Sequence, residues 1–218
     1  MNIRFHILAA SCLLAGLLVS CSEVPGDAAF RSGHYEIARN YYETQYGLGN
    51  IAAGERLADM LIQGLGGPPN QAKALAIYSD LAMKGDVVAC HNLGVCYERG
   101  KGTPINYQEA ARWYRKAADA GDLWSIYNYG TLYANQHMEP SNDVLGLAYL
   151  LCATQLAKGN GPIFDFIRND NPGHVKRMKA RMTHEQLKSA ETLAAELANG
   201  IQHPIISGVL NMEPAPKK

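Results

Sequence analysis

The residues best placed to do chemistry in this 218-residue chain are its five cysteines and seven histidines. Their spacing supports little of it. Cys90 and Cys96 lie six positions apart, which on one helix is about 9 Å along the axis and too far for a disulfide. Cys90-His91 with Cys96 is not the close, turn-based arrangement of a zinc site. His34, His137, His174, His184 and His203 are scattered. There is no nucleophile elbow and no His-Glu-x-x-His pair. Gly64–Pro69 (GLGGPP) resembles a phosphate loop in composition only, because it sits between two helical stretches rather than after a strand. No paired carboxylates occupy a predicted cleft. The expectation is a non-enzyme with no cofactor and no metal.

What the chain offers instead is periodicity. Shifting it by thirty-six residues places Gly49 on Gly85 and Gly121, and Asn50 on Asp86 and Asp122. Ala38, Ala74 and Ala110 share a column, as do Leu57, Leu93 and Tyr129, and Tyr42, Tyr78 and Tyr114. A fixed period of this size means stacked supersecondary units, none able to bury its apolar face alone. The clearest unit predicts a first helix over Val87–Arg99, with Ala89, Leu93 and Cys96/Tyr97 at helical spacing. Gly100–Pro104 breaks it. A second helix over Tyr107–Ala120 carries Ala110, Trp113/Tyr114, Ala117 and Ala118 on one face. Gly121 closes it, and Asp122 caps the next helix.

The stretches NLGVCYERGKGTP and AARWYRKAADAGD resemble the Sel1-like repeat, a relative of the tetratricopeptide repeat. The match is strongest over Asp86–Gly121. Over Asn50–Gly85, Arg56-Leu57-Ala58 replaces the usual Asn-Leu-Gly. In a third unit Gln136 and Met138 stand where glycines are expected, and Asp143–Gly159 aligns as a second helix only with two residues inserted. The resemblance implies an all-α, right-handed α-solenoid of helix-turn-helix repeats with helical caps. The repeats are placed at about 49–84, 85–120 and 121–158 within a body over 29–200. Cysteine-rich relatives pair a cysteine at the Cys90 position with one eight residues earlier. Here that position is Ala82, so Cys90, Cys96 and Cys152 are expected as buried free thiols, with Cys96–Cys152 the remaining alternative.

The ends are read separately. Arg4 followed by the apolar run Ile7–Val19 is a signal segment, too short to span a membrane. Leu18-Val19-Ser20-Cys21 looks like a bacterial lipobox. Residues 1–20 would then be a signal peptide, Cys21 the lipidated residue and 21–28 a tether; the alternative is an ordinary secretory signal with a coincidental cysteine. Ser22 after Cys21, by similarity to enteric lipoproteins, favours the outer membrane facing the periplasm. Without residues 1–20, which hold one base and no acid, the net charge is near −1. That argues against nucleic acid as a partner. Ala29–Tyr46 matches the second helix of a repeat whose first is short or missing, an N-terminal cap. Asn160–Pro172 is expected to be a short helix and a loop. The basic run Gly173–Arg181 could touch lipid headgroups or be a solvated helix face. Thr183 and Gln186 form a capping box for a last helix ending at Asn199-Gly200. Residues 201–218 form an extended tail whose Ile205-Ile206 and Val209-Leu210 are expected to meet that helix.

The family resemblance puts the first helix of each unit on the concave side. One column there is Arg56, Asn92 and Asn128. Its neighbour is Glu55, His91 and Tyr127, and a third is Asp59, Val95 and Thr131. Spaced Asn and Arg side chains can hold a peptide backbone or a carboxylate, or can serve packing between repeats. The expected function is a non-enzymatic adaptor that binds a protein or peptide in this groove and is held at the membrane through Cys21. Two alternatives stay open: a periplasmic immunity lipoprotein that neutralises a secreted antibacterial effector, and a cell-wall-ligand binder or hydrolase.

Overall fold

The computed structural model describes residues 25–201 and 204–206. The signal segment, Cys21 and Val209-Leu210 lie outside the described residues. Among the described residues ten helices follow one another: α1 (Pro25–Arg31), α2 (Tyr35–Gly47), α3 (Ile51–Gln63), α4 (Gln71–Met83), α5 (Val87–Arg99), α6 (Tyr107–Asp119), α7 (Leu123–Ala134), α8 (Asp143–Leu156), α9 (Pro162–Lys179) and α10 (His184–Gly200). From α1 to α8 each packs on the next, and α9 and α10 both return onto α8. The result is an all-α solenoid. Its apolar core runs in two stretches that meet at Tyr97.

The period is visible in the caps. Asn50, Asp86 and Asp122 each accept the backbone N–H three residues on, at 3.1, 2.7 and 2.7 Å, and start α3, α5 and α7. Asn70, Asn106 and Asn142 do the same for α4, α6 and α8, at 3.0, 3.1 and 2.9 Å. Each cap satisfies a donor that the helix itself leaves unpaired. Asn142 also corrects the expected insertion in the third unit. The start of α8 keeps the thirty-six-residue register, so Gly146, Tyr149, Leu150 and Ala153 bury where Ala110, Trp113, Tyr114 and Ala117 do. The inside of each unit repeats as well. A Cβ on Gly94 would sit 2.6 Å from the Tyr114 ring, and one on Gly130 would sit 2.8 Å from Leu150.

The turns between first and second helices form a seam with the unit before. A Cβ on Gly66 would lie 2.3 Å from the carbonyl oxygen of Tyr35, and one on Gly102 would lie 2.4 Å from that of Gln71. Each turn is therefore pressed onto the opening of the preceding second helix. The third turn has no glycine there. Its Gln136 takes the left-handed conformation at φ 59°, as Gly64 and Gly100 do at 70° and 67°. Its His137 ring stacks on Tyr107 with centroids 4.1 Å apart. Ring stacking thus replaces the backbone approach at the equivalent place.

Three expectations about the ends change. Residues from Pro25 belong to α1, and buried Gly26 and Phe30 pack it on α2, so part of the stretch read as tether is helix. The break expected before Gly173 is absent. Helix α9 runs through the exposed Pro172, because Ile163, Ile167, Asn171 and Met178 form a buried stripe along its whole length. Asn171 donates to the Leu150 carbonyl and to Thr154 Oγ1, both at 2.6 Å, pinning the middle of α9 where the proline removes a donor. Ile205 is tied by its backbone to the start of α7. Its N–H donates to the Gly121 carbonyl and its carbonyl accepts from Leu123 N–H, both at 2.9 Å. The Thr183–Gln186 capping box is present, at 2.8 and 3.2 Å.

Candidate functional site

A groove of about 460 Å³ opens between α5 and α7. Its floor includes His91 and Val95 of α5 and Tyr127 and Thr131 of α7, members of two predicted columns. Asn128 lines it too and is half-buried. The wall opposite α5 comes from α9, through Phe166 and His174. These two residues escaped the sequence reading, because α9 was divided at its proline. Trp124, Arg99 and Lys101 also line the groove and were equally unforeseen. Their signal lay in the repeat itself, since Arg99 and Lys101 flank the turn glycine of the best-matched unit.

The second column ties repeats together. Asp86, which caps the next first helix, stands close enough to Glu55 for the two carboxyls to act on each other. One repeat on, His91 Nδ1 meets Ser125 Oγ at 3.0 Å and Asp122, the next cap, at 3.5 Å. Tyr127 donates its hydroxyl to Asp170 of α9. These three side chains are engaged in holding successive elements. Burial, then the Asp86 and Asp59 carboxylates, pushes Glu55 up to about 8, against the opposing field of Arg56. Burial holds the His91 imidazole below its usual range although Asp122 pulls the other way. That keeps the ring neutral.

In the first column the members separate. Arg56 is exposed, Asn128 lines the groove, and Asn92 is buried. Neither Asn92 Oδ1 nor Nδ2 has a hydrogen-bond partner among the described residues. In the third column Asp59 accepts the Tyr78 hydroxyl, and burial pushes its carboxyl up to about 6. The Tyr42, Tyr78 and Tyr114 column crosses to a carboxylate each time. Tyr42 donates to Asp27 at 2.5 Å and Tyr114 to Glu98 at 2.6 Å.

The groove's histidine at the α9 wall is also committed. Arg177 donates to His174 Nδ1 at 2.7 Å, and His174 Nε2 faces Asp170 at 3.2 Å. The ring is thereby fixed with its proton toward Asp170, and burial together with Arg177 lowers its basicity. The same Asp170 oxygen, Oδ2, receives the Tyr127 hydroxyl as well. What the groove presents to a ligand is hydrogen-bonding amide, cation, carboxylate and aromatic surface rather than a nucleophile beside a base. Among the described residues no cluster of His, Cys, Asp and Glu converges on a possible metal position. Cys90, Cys96 and Cys152 are buried and unbridged. The Cys90 thiol lies 3.8 Å from the carbonyl oxygen of Ala82, the position where the resembling family would place its partner cysteine. Burial pushes both Cys96 and Cys152 up to about 12.

A family model described as Sel1 repeat matches residues 43–86, 87–122 and 125–157, just over half of the chain. Comparison with curated proteins returned no match. Among solved structures, this chain is similar to a protective antigen present in uropathogenic Escherichia coli strains that displays an SLR fold. The TM-score is 0.64 at 21% identity, over 81% of this chain and 38% of that one. It is also similar to a Sel1 repeat protein from Oxalobacter formigenes, with a TM-score of 0.53 at 21% identity, over 80% and 81% of the two chains. The chain thus spans well under half the length of the first of these, and both likenesses concern the fold.

Proposed function

This chain belongs to the Sel1 repeat family, and from that premise we propose that it is a non-catalytic adaptor that holds a peptide or protein partner in the groove between α5, α7 and α9. Sel1 repeat proteins generally mediate protein–protein interaction and are typically scaffolds. The observation that carries the reading is the groove's own composition. Its carboxylates and its α9 histidine are bound to one another or to tyrosines, while Asn128, Trp124, Phe166 and two cations line its open side. Amide and aromatic groups along a concave face can hold an extended backbone and its side chains.

We further propose that Cys21 carries the lipid and that the adaptor faces the periplasm from the outer membrane. The motif Leu18-Val19-Ser20-Cys21 supports this reading. More than one acyl chain, at roughly 0.8 kcal/mol per buried methylene, makes a durable anchor.

The test is affinity capture from detergent-solubilised membranes, with the intact chain beside an Asn128→Ala/Phe166→Ala variant. A stoichiometric partner lost in the variant is the expected result. A partner held equally by both variants removes the site from this groove. Fractionation of Cys21→Ser tests the anchor separately, and unchanged membrane retention refutes it.

A further inference from the structure

Resting on the reading of this groove as a peptide-binding face, we infer that its occupant is a peptide segment carrying a carboxylate beside a large apolar side chain, the carboxylate between Arg99 and Lys101 and the apolar group against Trp124 and Phe166.

The carboxylates at the groove are held by tyrosine hydroxyls rather than by its cations. Glu98 accepts the Tyr114 hydroxyl, and Asp170 takes Tyr127 and His174. Arg99 and Lys101 line the same groove, yet neither side chain makes a hydrogen bond or ion pair within it among the described residues. Lys101 is half-buried. Desolvation, and after it the repulsion of Arg99, pulls its ammonium below the usual range. Asp59 is the carboxylate whose field reaches Lys101, but it is buried and already receives the Tyr78 hydroxyl. A half-buried ammonium beside an exposed guanidinium is stabilised by an anion placed between them. An arginine and a lysine offer donors suited to carboxylate oxygens.

The apolar half is equally specific. The Phe166 ring is 44% exposed, although it lies 5.3 Å from the Trp124 ring and 5.6 Å from Tyr127. An aromatic corner of this kind covers one face of a large apolar side chain. The groove's volume, about 460 Å³, is within the usual range for ligand sites and suits a short run of side chains. Its floor of buried His91 and Val95 lies below the rim, where a protruding peptide side chain reaches and a flat bilayer does not.

The experiment is selection of a phage-displayed random-peptide library on the full-length chain in detergent. Enriched peptides are then measured by fluorescence anisotropy against wild type, Arg99→Gln/Lys101→Gln, Phe166→Ala and Asn128→Ala. Helical circular dichroism and urea midpoints establish that each variant is folded. The expected result is enrichment of Asp, Glu or a free C-terminus next to Trp, Phe, Leu or Met. Binding should weaken at least about tenfold in Arg99→Gln/Lys101→Gln, fall in Phe166→Ala, and weaken with added salt. Neutral or basic peptides that ignore the cation variant but are lost in Asn128→Ala overturn this inference and leave the groove reading standing. No enrichment, or binding indifferent to all three variants, overturns the groove reading itself. Anionic phospholipid vesicles that bind through Arg99 and Lys101 and displace the selected peptides overturn the peptide as occupant.

Discussion

Changing Gly102 to Ala probes the seam that sets one repeat against the next. Gly102 has φ +77°, a left-handed conformation that costs an alanine about 1–2 kcal/mol. Its new Cβ would stand 2.4 Å from the Gln71 carbonyl oxygen and 2.7 Å from the carbonyl carbon. Both are backbone atoms at the start of α4, so no side chain can swing aside. Relief requires the whole turn to move off α4, a rearrangement worth about 1–3 kcal/mol in overpacked sites. Loss of freedom in the unfolded chain returns about 0.4–1 kcal/mol. The net expectation is a loss of about 2–4 kcal/mol. Gly85→Ala is the control: its φ is +91° and nothing lies within 4 Å of the added carbon, so only the conformational cost applies, about 1 kcal/mol net of the same return. Urea unfolding followed by circular dichroism measures both. Because Lys101 sits beside Gly102 and lines the groove, partner binding should fall in Gly102→Ala and hold in Gly85→Ala. Equal stability losses in the two variants would show that the close approach to Gln71 carries no energy, and would refute the seam.

Gln136→Gly, at the third turn's left-handed position, should raise stability by about 0.5–1 kcal/mol, read as a higher urea midpoint; a lower midpoint refutes it. Glu55 gives a pH signature. Its carboxyl stands at about 8 in the folded chain against 4.5 as reference, so the folded state holds the extra proton between those values. Its contribution is full below pH 4.5 and is lost as pH rises through about 8. Glu55→Gln should therefore gain on wild type as pH climbs through that window, by an amount trimmed by solvent, and parallel midpoint-against-pH curves would sink the idea. His91 acts on the other side, since its lowered basicity costs stability only as pH falls below its ordinary 6.5. Asn171→Ala should cost about 1–3 kcal/mol through its two lost hydrogen bonds, to the Leu150 carbonyl and to Thr154 Oγ1, and hydrogen exchange should speed first in α9. Asn92→Ala, at a buried position, should leave partner binding unchanged, and weakened binding would place Asn92 in the site.

The repeat was legible because its signals are local. Helix starts need a cap, turns need a left-handed residue, and a unit's own two helices need small residues where they cross, so Asp86, Gly100 and Gly94 announce themselves at a fixed spacing. The third turn departs from the others in residue type but keeps the conformation: Gln136 takes the left-handed geometry of Gly64 and Gly100, which its residue type only rarely takes. The insertion expected in α8 rested on side-chain likeness, whereas the register is kept by Asn142 and by the buried face it starts.

The chain's own order of residues determined that this is a stack of helix pairs, and where each pair begins and ends. Periodicity and capping act within a few turns of the chain, and no distant contact is needed to read them. The tertiary structure decided what the repeating columns do. Glu55, His91 and Tyr127 read as a row of contact residues, yet each faces a carboxylate that belongs to the helix two further on, 31, 31 and 43 positions away. The groove's far wall depended on α9 folding back past Pro172, which a buried stripe at helical spacing and the Asn171 hydrogen bonds hold in place. Which side chains stay open for a partner follows from who else arrives beside them, and that depends on contacts across the stack that no local window contains.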